Sequence, residues 1–307
     1  MNYVNLYQAI QDYSENTESL FVGNIPTFVK EAEARIYNSV QIPSLRKNVT
    51  GTLTASNKYL SCPNDYLSTY SLAVIDSSGN YTYLLNKDVN FIREAYPNTS
   101  AANNGLPKYY ALFGSQYTNA NELSFILGPT PDDSYNAELH YFYYPVSIVQ
   151  GAISGSGTIT AGSLYTNGNY SNVPLSGGSG TGATANITVS GQAITSVTIK
   201  NGGQFYVSGD QLSCNNAYIG GSGSGFLYTI TGIDNAQGTS WLGDNYDPVL
   251  FYGAMREAML FMKGEQDLIG YYETKYQEAM QELNRLGTGL ERGDAYRDGQ
   301  AKIKVNP

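Results

Sequence analysis

Apolar residues recur at helical spacing at both ends of this chain and alternate in its middle. A chain patterned in that way can close its core only as a mixed α+β fold. Near the start, Tyr3, Leu6, Tyr7, Ile10 and Tyr13 mark a short amphipathic helix. Ile25, Phe28, Val29, Ala32, Ile36 and Val40 form a second stripe, with a cap-like Asn24-Ile25-Pro26 before it and Pro43 after it. This spacing predicts a helix over 24–41. Two further stripes lie near the other end. Leu250, Ala254, Ala258 and Phe261 share a face from about Asp247 to Met262, with Asp247 as the expected N-cap and Pro248 at the first helical position. Leu268, Tyr272, Tyr276, Ala279, Leu283 and Leu286 keep the same period, and Gly287 is the expected stop. The four stripes match in period and length, which predicts one helical bundle built from the N- and C-terminal helices.

Between these ends the period falls to two. Runs such as Tyr70-Ser71-Leu72-Ala73-Val74-Ile75 and Ala137-Glu138-Leu139-His140-Tyr141-Phe142-Tyr143 predict an antiparallel β region. Asp76-Ser77-Ser78-Gly79-Asn80 carries turn chemistry and predicts a hairpin into Tyr81-Thr82-Tyr83-Leu84, whereas residues 96–107 read as a loop. From about 151 to 235 the composition shifts to Gly, Ser, Thr and Asn, and it repeats. Gly177-Gly178-Ser179-Gly180-Thr181-Gly182 returns as Gly220-Gly221-Ser222-Gly223-Ser224-Gly225, and Asn167-Gly168-Asn169-Tyr170 is echoed by Asn201-Gly202-Gly203-Gln204-Phe205-Tyr206. A flexible linker is the plainer reading, but Ala193-Ile194-Thr195-Ser196-Val197-Thr198-Ile199 alternates like a half-buried strand. The expected division is therefore 1–48 and 239–287 as helices, 49–150 as antiparallel β, 151–238 as an inserted Gly-rich β domain of sandwich or Ig-like type, and 288–307 as an extended tail.

Composition limits what such a fold can do. The formal net charge of −9 argues against gripping nucleic acid, which needs clustered Lys and Arg, so DNA is expected to pass without specific binding. With 28 tyrosines and only 14% charged residues, the surface suits wet protein contacts. The two cysteines, Cys62 and Cys214, have no metal-ligand spacing and are expected to be free thiols. No run of about 18 apolar residues and no signal-type N-terminus is present, so no membrane association or export by that route is expected.

No constellation specifies catalysis, a metal or a cofactor. His140, the one histidine, sits in an alternating strand and reads as a packed or solvated residue. The glycine loops at 177–180 and 220–223 are turns, since neither ends in Gly-Lys-Ser/Thr or opens a helix. Asp132-Asp133 follows Pro129-Thr130-Pro131 as a loop tip, and Glu31 and Glu33, two apart on a helix, do not face each other.

Three separated motifs nevertheless resemble the head-to-tail adaptor proteins of short-tailed bacteriophages, in particular the kuravirus-type adaptor family. They are the helix Ile25-Pro26-Thr27-Phe28-Val29-Lys30-Glu31-Ala32-Glu33-Ala34-Arg35-Ile36; the set Pro63-Asn64-Asp65-Tyr66-Leu67, Phe91 to Pro97, Leu106 to Ala111 and the strand ending Tyr143-Tyr144-Pro145; and the stretch Trp241 to Ala258 with the Tyr271-Tyr272, Tyr276, Ala279 helix after it. The resemblance covers roughly 20–148 and 238–287. It implies a structural virion protein without enzymatic activity or cofactor, made in the host cytoplasm. It further implies a dodecameric ring in the connector region that binds the portal protein and the tail nozzle protein, offers outer surfaces to tail fibres and lets DNA through. The tail carries Arg292, Arg297, Lys302 and Lys304 among only three acids, so these four are the expected portal contacts. The rival reading is a receptor- or carbohydrate-binding tail protein, suggested by the Gly-rich β insertion and the tyrosines. Such proteins are β-rich to the end, whereas this chain closes in helical stripes.

Overall fold

The stripes at the two ends become helices, and the alternating middle becomes sheets. A computed structural model describes residues 1–97, 103–114, 123–155 and 157–298, with the side chains of the last helix described through Gly287. Its helices are α1 (Tyr3–Ser14), α2 (Ser19–Ser39), α3 (Val89–Ala95), α4 (Trp241–Asn245), α5 (Asp247–Phe261) and α6 (Gln266–Asp298). The chain divides into two compact units, one made of Met1–Val40 with Val146–Gly289 and one centred on Gln41–Pro145.

In the first unit, α1 begins where Asn2 accepts a hydrogen bond from the Asn5 N–H at 3.0 Å. Helix α2 starts earlier than its stripe suggests, at Ser19, and therefore contains Pro26 in its interior. Proline there removes one backbone hydrogen bond. Burial offsets the loss: Phe21, in the added turn, is 1% exposed and packs on Phe28 and Phe261. Asp247 is the first residue of α5 rather than its cap. Tyr246 holds the cap position, and the Asp247 carboxylate lies 3.4 Å from the N-terminal ammonium of Met1. The stripe of α6 buries Tyr272, Tyr276, Ala279 and Leu283 but leaves Leu268 and Leu286 exposed.

Gly287 does not stop α6, which continues to Asp298, so residues 288–298 are helical rather than extended. A glycine costs a helix about 1 kcal/mol relative to alanine, which weakens the ladder without ending it. The segment 299–307 lies outside the described residues.

The strands of the second unit are β1 (Arg46–Thr52), β2 (Tyr59–Ser61), β3 (Tyr66–Ile75), β4 (Tyr81–Tyr83), β5 (Leu85–Asn86), β6 (Tyr109–Gly114), β7 (Ser124–Gly128) and β8 (Asn136–Tyr143). They form two four-stranded sheets, β1-β8-β3-β4 and β2-β7-β6-β5, which share a core of Leu72, Val74, Tyr110, Phe125, Leu127 and Leu139. Pairing is antiparallel except between β5 and β6. The hairpin expected at 76–80 is present: Ile75 pairs with Tyr81, and the Asp76 carboxylate accepts from the N–H groups of Ser78 and Asn80. Helix α3 falls inside the period-two region, and its Ile92 packs with Ala111 and Ile126. Of the loop expected at 96–107, residues 98–102 lie outside the described residues.

The remaining strands belong to the first unit: β9 (Ala152–Ile153), β10 (Gly157–Ser163), β11 (Gly168–Ser176), β12 (Thr181–Ser190), β13 (Ala193–Gln204), β14 (Gln211–Cys214), β15 (Ser224–Ile230) and β16 (Ile233–Asp234). Strands β9 and β16 pair with each other. The rest form one antiparallel sheet in the order β10-β15-β14-β11-β12-β13. Strand β10 also lies against β13, so the sheet curls on itself around Leu212, Phe226 and Ile187. This is a single curled sheet where the composition suggested a sandwich or Ig-like domain. The sequence repeat maps onto two hairpin-like halves that meet where Leu175 of β11 pairs with Cys214 of β14. The matched glycines Gly177 and Gly220 both have positive φ, at 110° and 89°, a conformation that favours glycine.

A buried polar contact joins this sheet to α1 within the unit: the Tyr3 hydroxyl donates to Gln204 Oε1, and both residues are nearly inaccessible. The helices meet at Gly253 of α5, where an added Cβ would lie 3.1 Å from Ala32 Cβ on α2 and 3.2 Å from Tyr276 Cε2 on α6. Gly253→Leu is therefore expected to retain helical circular dichroism while lowering the unfolding free energy by about 1–3 kcal/mol through overpacking, as measured by urea titration.

Candidate interface

The motif helix α2 supplies the most constrained polar group in the first unit. Glu33 is 3% exposed, and its Oε1 accepts from the Ile148 N–H at 2.8 Å. Its other carboxyl oxygen is buried with no hydrogen-bond partner in the structure. Burial pushes the carboxyl up from 4.5 to about 7, against the opposing pull of Ser147, the Ile148 N–H and Lys30. Glu31, two residues away, is exposed, so the two acids do not share a site. The environment of Glu33 was readable in part, since the residue stands four after Val29 and three before Ile36, on the apolar stripe itself.

Beside it, Arg35 Nη2 pairs with Glu257 Oε1 at 2.8 Å, and Arg256 bonds both Glu257 and Glu273. These charges tie α2, α5 and α6 together. Against partial burial, which pushes the other way, a hydrogen bond from Gln277 and the attraction of the two arginines hold the Glu273 carboxyl below its usual value. Tyr246 donates to Glu282 and fastens the start of α5 to α6.

In the second unit, the outer face of β1-β8-β3-β4 is aromatic. The Arg46 guanidinium stacks over Tyr70 at 3.9 Å and Phe142 at 4.9 Å, and His140 meets Tyr70 edge-on at 5.8 Å. The histidine is thus a packed strand residue. Tyr70, Tyr81 and Tyr83 are each more than half exposed. Rigid aromatic rings with polar ends suit protein recognition.

The other candidate residues do not converge on a site. Asp132 accepts from the Tyr135 hydroxyl at 2.7 Å, while Asp133 accepts from the N–H of Ser134. Both cysteines are free. Burial pushes the Cys62 thiol up to about 12 and the Cys214 thiol up to about 11, which opposes thiolate chemistry. Among the described residues no group of three or more His, Cys, Asp or Glu could hold a metal ion, and no helix is long and apolar enough to cross a membrane. Of the four expected portal contacts, Arg292 and Arg297 stand on the last turns of α6, and Lys302 and Lys304 lie outside the described residues.

Ion-paired helices and tyrosine-bearing sheets suit contacts with other proteins. Comparison makes the class specific. The model of the SU10 adaptor protein family matches residues 1–167, more than half of the chain, and the chain belongs to that family of phage adaptor proteins. The match spans α1, α2, strands β1 to β8 with α3, and the first strands of the Gly-rich segment. No curated protein matches the chain.

The Glu33 environment has a pH consequence. Between its ordinary value of 4.5 and about 7, the folded chain retains a proton that the unfolded chain has released. This contribution to stability is full below pH 4.5 and is lost as pH rises through about 7. Asp65, Asp76 and Glu273 are shifted downward and act below that window. Glu33→Gln keeps an acceptor for Ile148 and cannot ionise. It is expected to match the parent near pH 5 and exceed it near pH 8 by roughly 1–3 kcal/mol in urea unfolding. Equal pH dependence in both chains would assign the carboxyl an ordinary value.

Proposed function

We propose that this protein is a head-to-tail adaptor of a short-tailed phage, twelve copies forming a ring between the portal protein and the tail nozzle protein. Family membership supports the adaptor role. The observation that carries the portal contact is the length of α6, which runs to Asp298 and so places Arg292 and Arg297 on helix beyond the buried stripe that ends at Leu283. On the helix end Arg292 and Arg297 alternate with Glu291, Asp294 and Asp298, and only with Lys302 and Lys304 do the four basic residues of 288–307 outnumber its three acids, a slight excess on a chain of net charge −9 that suits an acidic groove on a partner. The acidic balance also lets DNA phosphates pass a channel without adhering. The Gly-rich sheet of 151–238, which has a core of its own, is the proposed dock for tail fibres.

Two measurements test this reading. Electron microscopy of the virion should find twelve copies on the tail axis; three copies on each fibre would instead favour a receptor-binding tail protein. The paired substitution Arg292→Glu with Arg297→Glu should weaken association with portal rings by about tenfold or more at low salt, with the difference shrinking as salt rises. The melting temperature should stay unchanged. Undiminished portal binding by that variant would move the contact elsewhere on the chain.

A further inference from the structure

Strand β1 closes one sheet of the second unit and β2 closes the other, so each has a ladder on one side only among the described residues. Between these two edges opens a cleft of about 300 Å³ lined by Val49, Gly51, Leu60, Cys62, Ala137 and Leu139. Register fixes how the cleft is oriented. Val49 pairs with Leu139 and Gly51 with Ala137, and these four lie on the core-facing side, whereas Thr50 pairs with Glu138 on the outer side. Residues 47–52 of β1 are exposed along their whole length, and Val49 is 39% exposed. A Cβ added at Gly51 would meet nothing within 4 Å, so the strand leaves an open notch where its neighbours carry side chains. An exposed edge beside an apolar slot is a template for one more strand.

The chain itself contains a sequence of the matching kind. After α6, the segment Ala301-Lys302-Ile303-Lys304-Val305 alternates apolar and basic residues. Five residues in extended form span roughly 17 Å, which fits along the seven-residue β1. We infer that Ala301–Val305 of one copy docks in this cleft on a neighbouring copy, adding a strand to the free edge of β1. Ala301, Ile303 and Val305 enter the slot over Leu60, Ala137 and Leu139, with Ile303 or Val305 filling the space beside Gly51. The two lysines then fall on the outer face. There they meet the Glu138 carboxylate, which already accepts from Asn48 Nδ2 at 3.0 Å and Tyr81 Oη at 3.1 Å. A lysine docked beside Thr50 reaches Glu138 across a short side chain. Apolar and charged halves of the segment are thus both matched.

The contact joins the end of one copy to the edge strand of the next. It is head-to-tail, the kind that propagates around a closed ring, although it needs neither the ring nor the portal to form.

Two single variants of the full-length chain separate the halves of the contact. Ile303→Asp removes the donor, and Gly51→Trp blocks the acceptor at a position where the backbone is ordinary and the space is open. In sedimentation velocity the parent should self-associate with rising concentration, and each variant alone should do so about tenfold more weakly or not at all. Mixing the two variants should restore one-to-one pairs, because one supplies an intact segment and the other an intact cleft. A fluorescent synthetic peptide of residues 299–307 should bind the Ile303→Asp chain and fail to bind the Gly51→Trp chain, whose near-ultraviolet circular dichroism and melting temperature show that it is folded. Self-association unchanged by both substitutions, or a peptide that binds both chains equally, would overturn the inference. A parent that stays monomeric while both variants lose stability would place the segment in its own copy's cleft and overturn the exchange between copies. A twelve-copy ring that assembles normally from Gly51→Trp would remove this contact and leave the adaptor reading standing.

Discussion

The close approach at Gly253 is the constraint on which the first unit depends. Helices α2 and α5 are more than 200 residues apart in sequence, and bringing them together carries a loop-closure cost that only a dense contact offsets. Removing one side chain lets Ala32 and Tyr276 close on the same point of α5. With the backbones this near, Arg35 and Arg256 reach Glu257, and Arg256 reaches Glu273 as well. Part-exposed ion pairs contribute little singly, but here they fix the rotation of each helix about its axis.

A second constraint is the way buried polar groups fasten long connections. Glu33 holds the backbone at Ile148, where the chain re-enters the first unit, and Tyr3 holds Gln204 at the end of β13. Each bond joins a terminal helix to chain that lies more than 100 residues away. Buried polar groups are costly when unpaired, so contacts like these favour one arrangement over nearby alternatives more than they raise total stability. The upward shift of the Glu33 carboxyl is the visible part of that cost.

The second unit uses its surface differently. One sheet face carries the stack of Arg46, Tyr70 and Phe142, and the free edge of β1 carries the apolar cleft. Natural sheets usually blunt an exposed edge with charge, proline or cover. Lys47 pairs with Asp65 near one end of β1, but the run from Val49 to Gly51 has no charged side chain, which is why this edge is open to a partner strand.

Much of the architecture was legible in the sequence because it rests on local periodicity. The stripes of α1, α2, α5 and α6, the alternation in β3, β8 and β13, and the turn at Asp76 follow from side-chain spacing and backbone chemistry alone. So did the adaptor resemblance, which the family match supports at the level of the family. Where local signals competed with burial, tertiary structure decided. Pro26 reads as a helix start, yet Phe21 packing on Phe28 extends α2 through it. Asp247 reads as a cap, yet the N-terminal ammonium claims its carboxylate. Gly287 reads as a stop, yet the helix continues. Spacing along one chain cannot report the partner across a core. The curled sheet of the Gly-rich segment, the burial of Glu33 and the cleft beside β1 all depend on residues far apart in sequence, and only the folded chain brings them together.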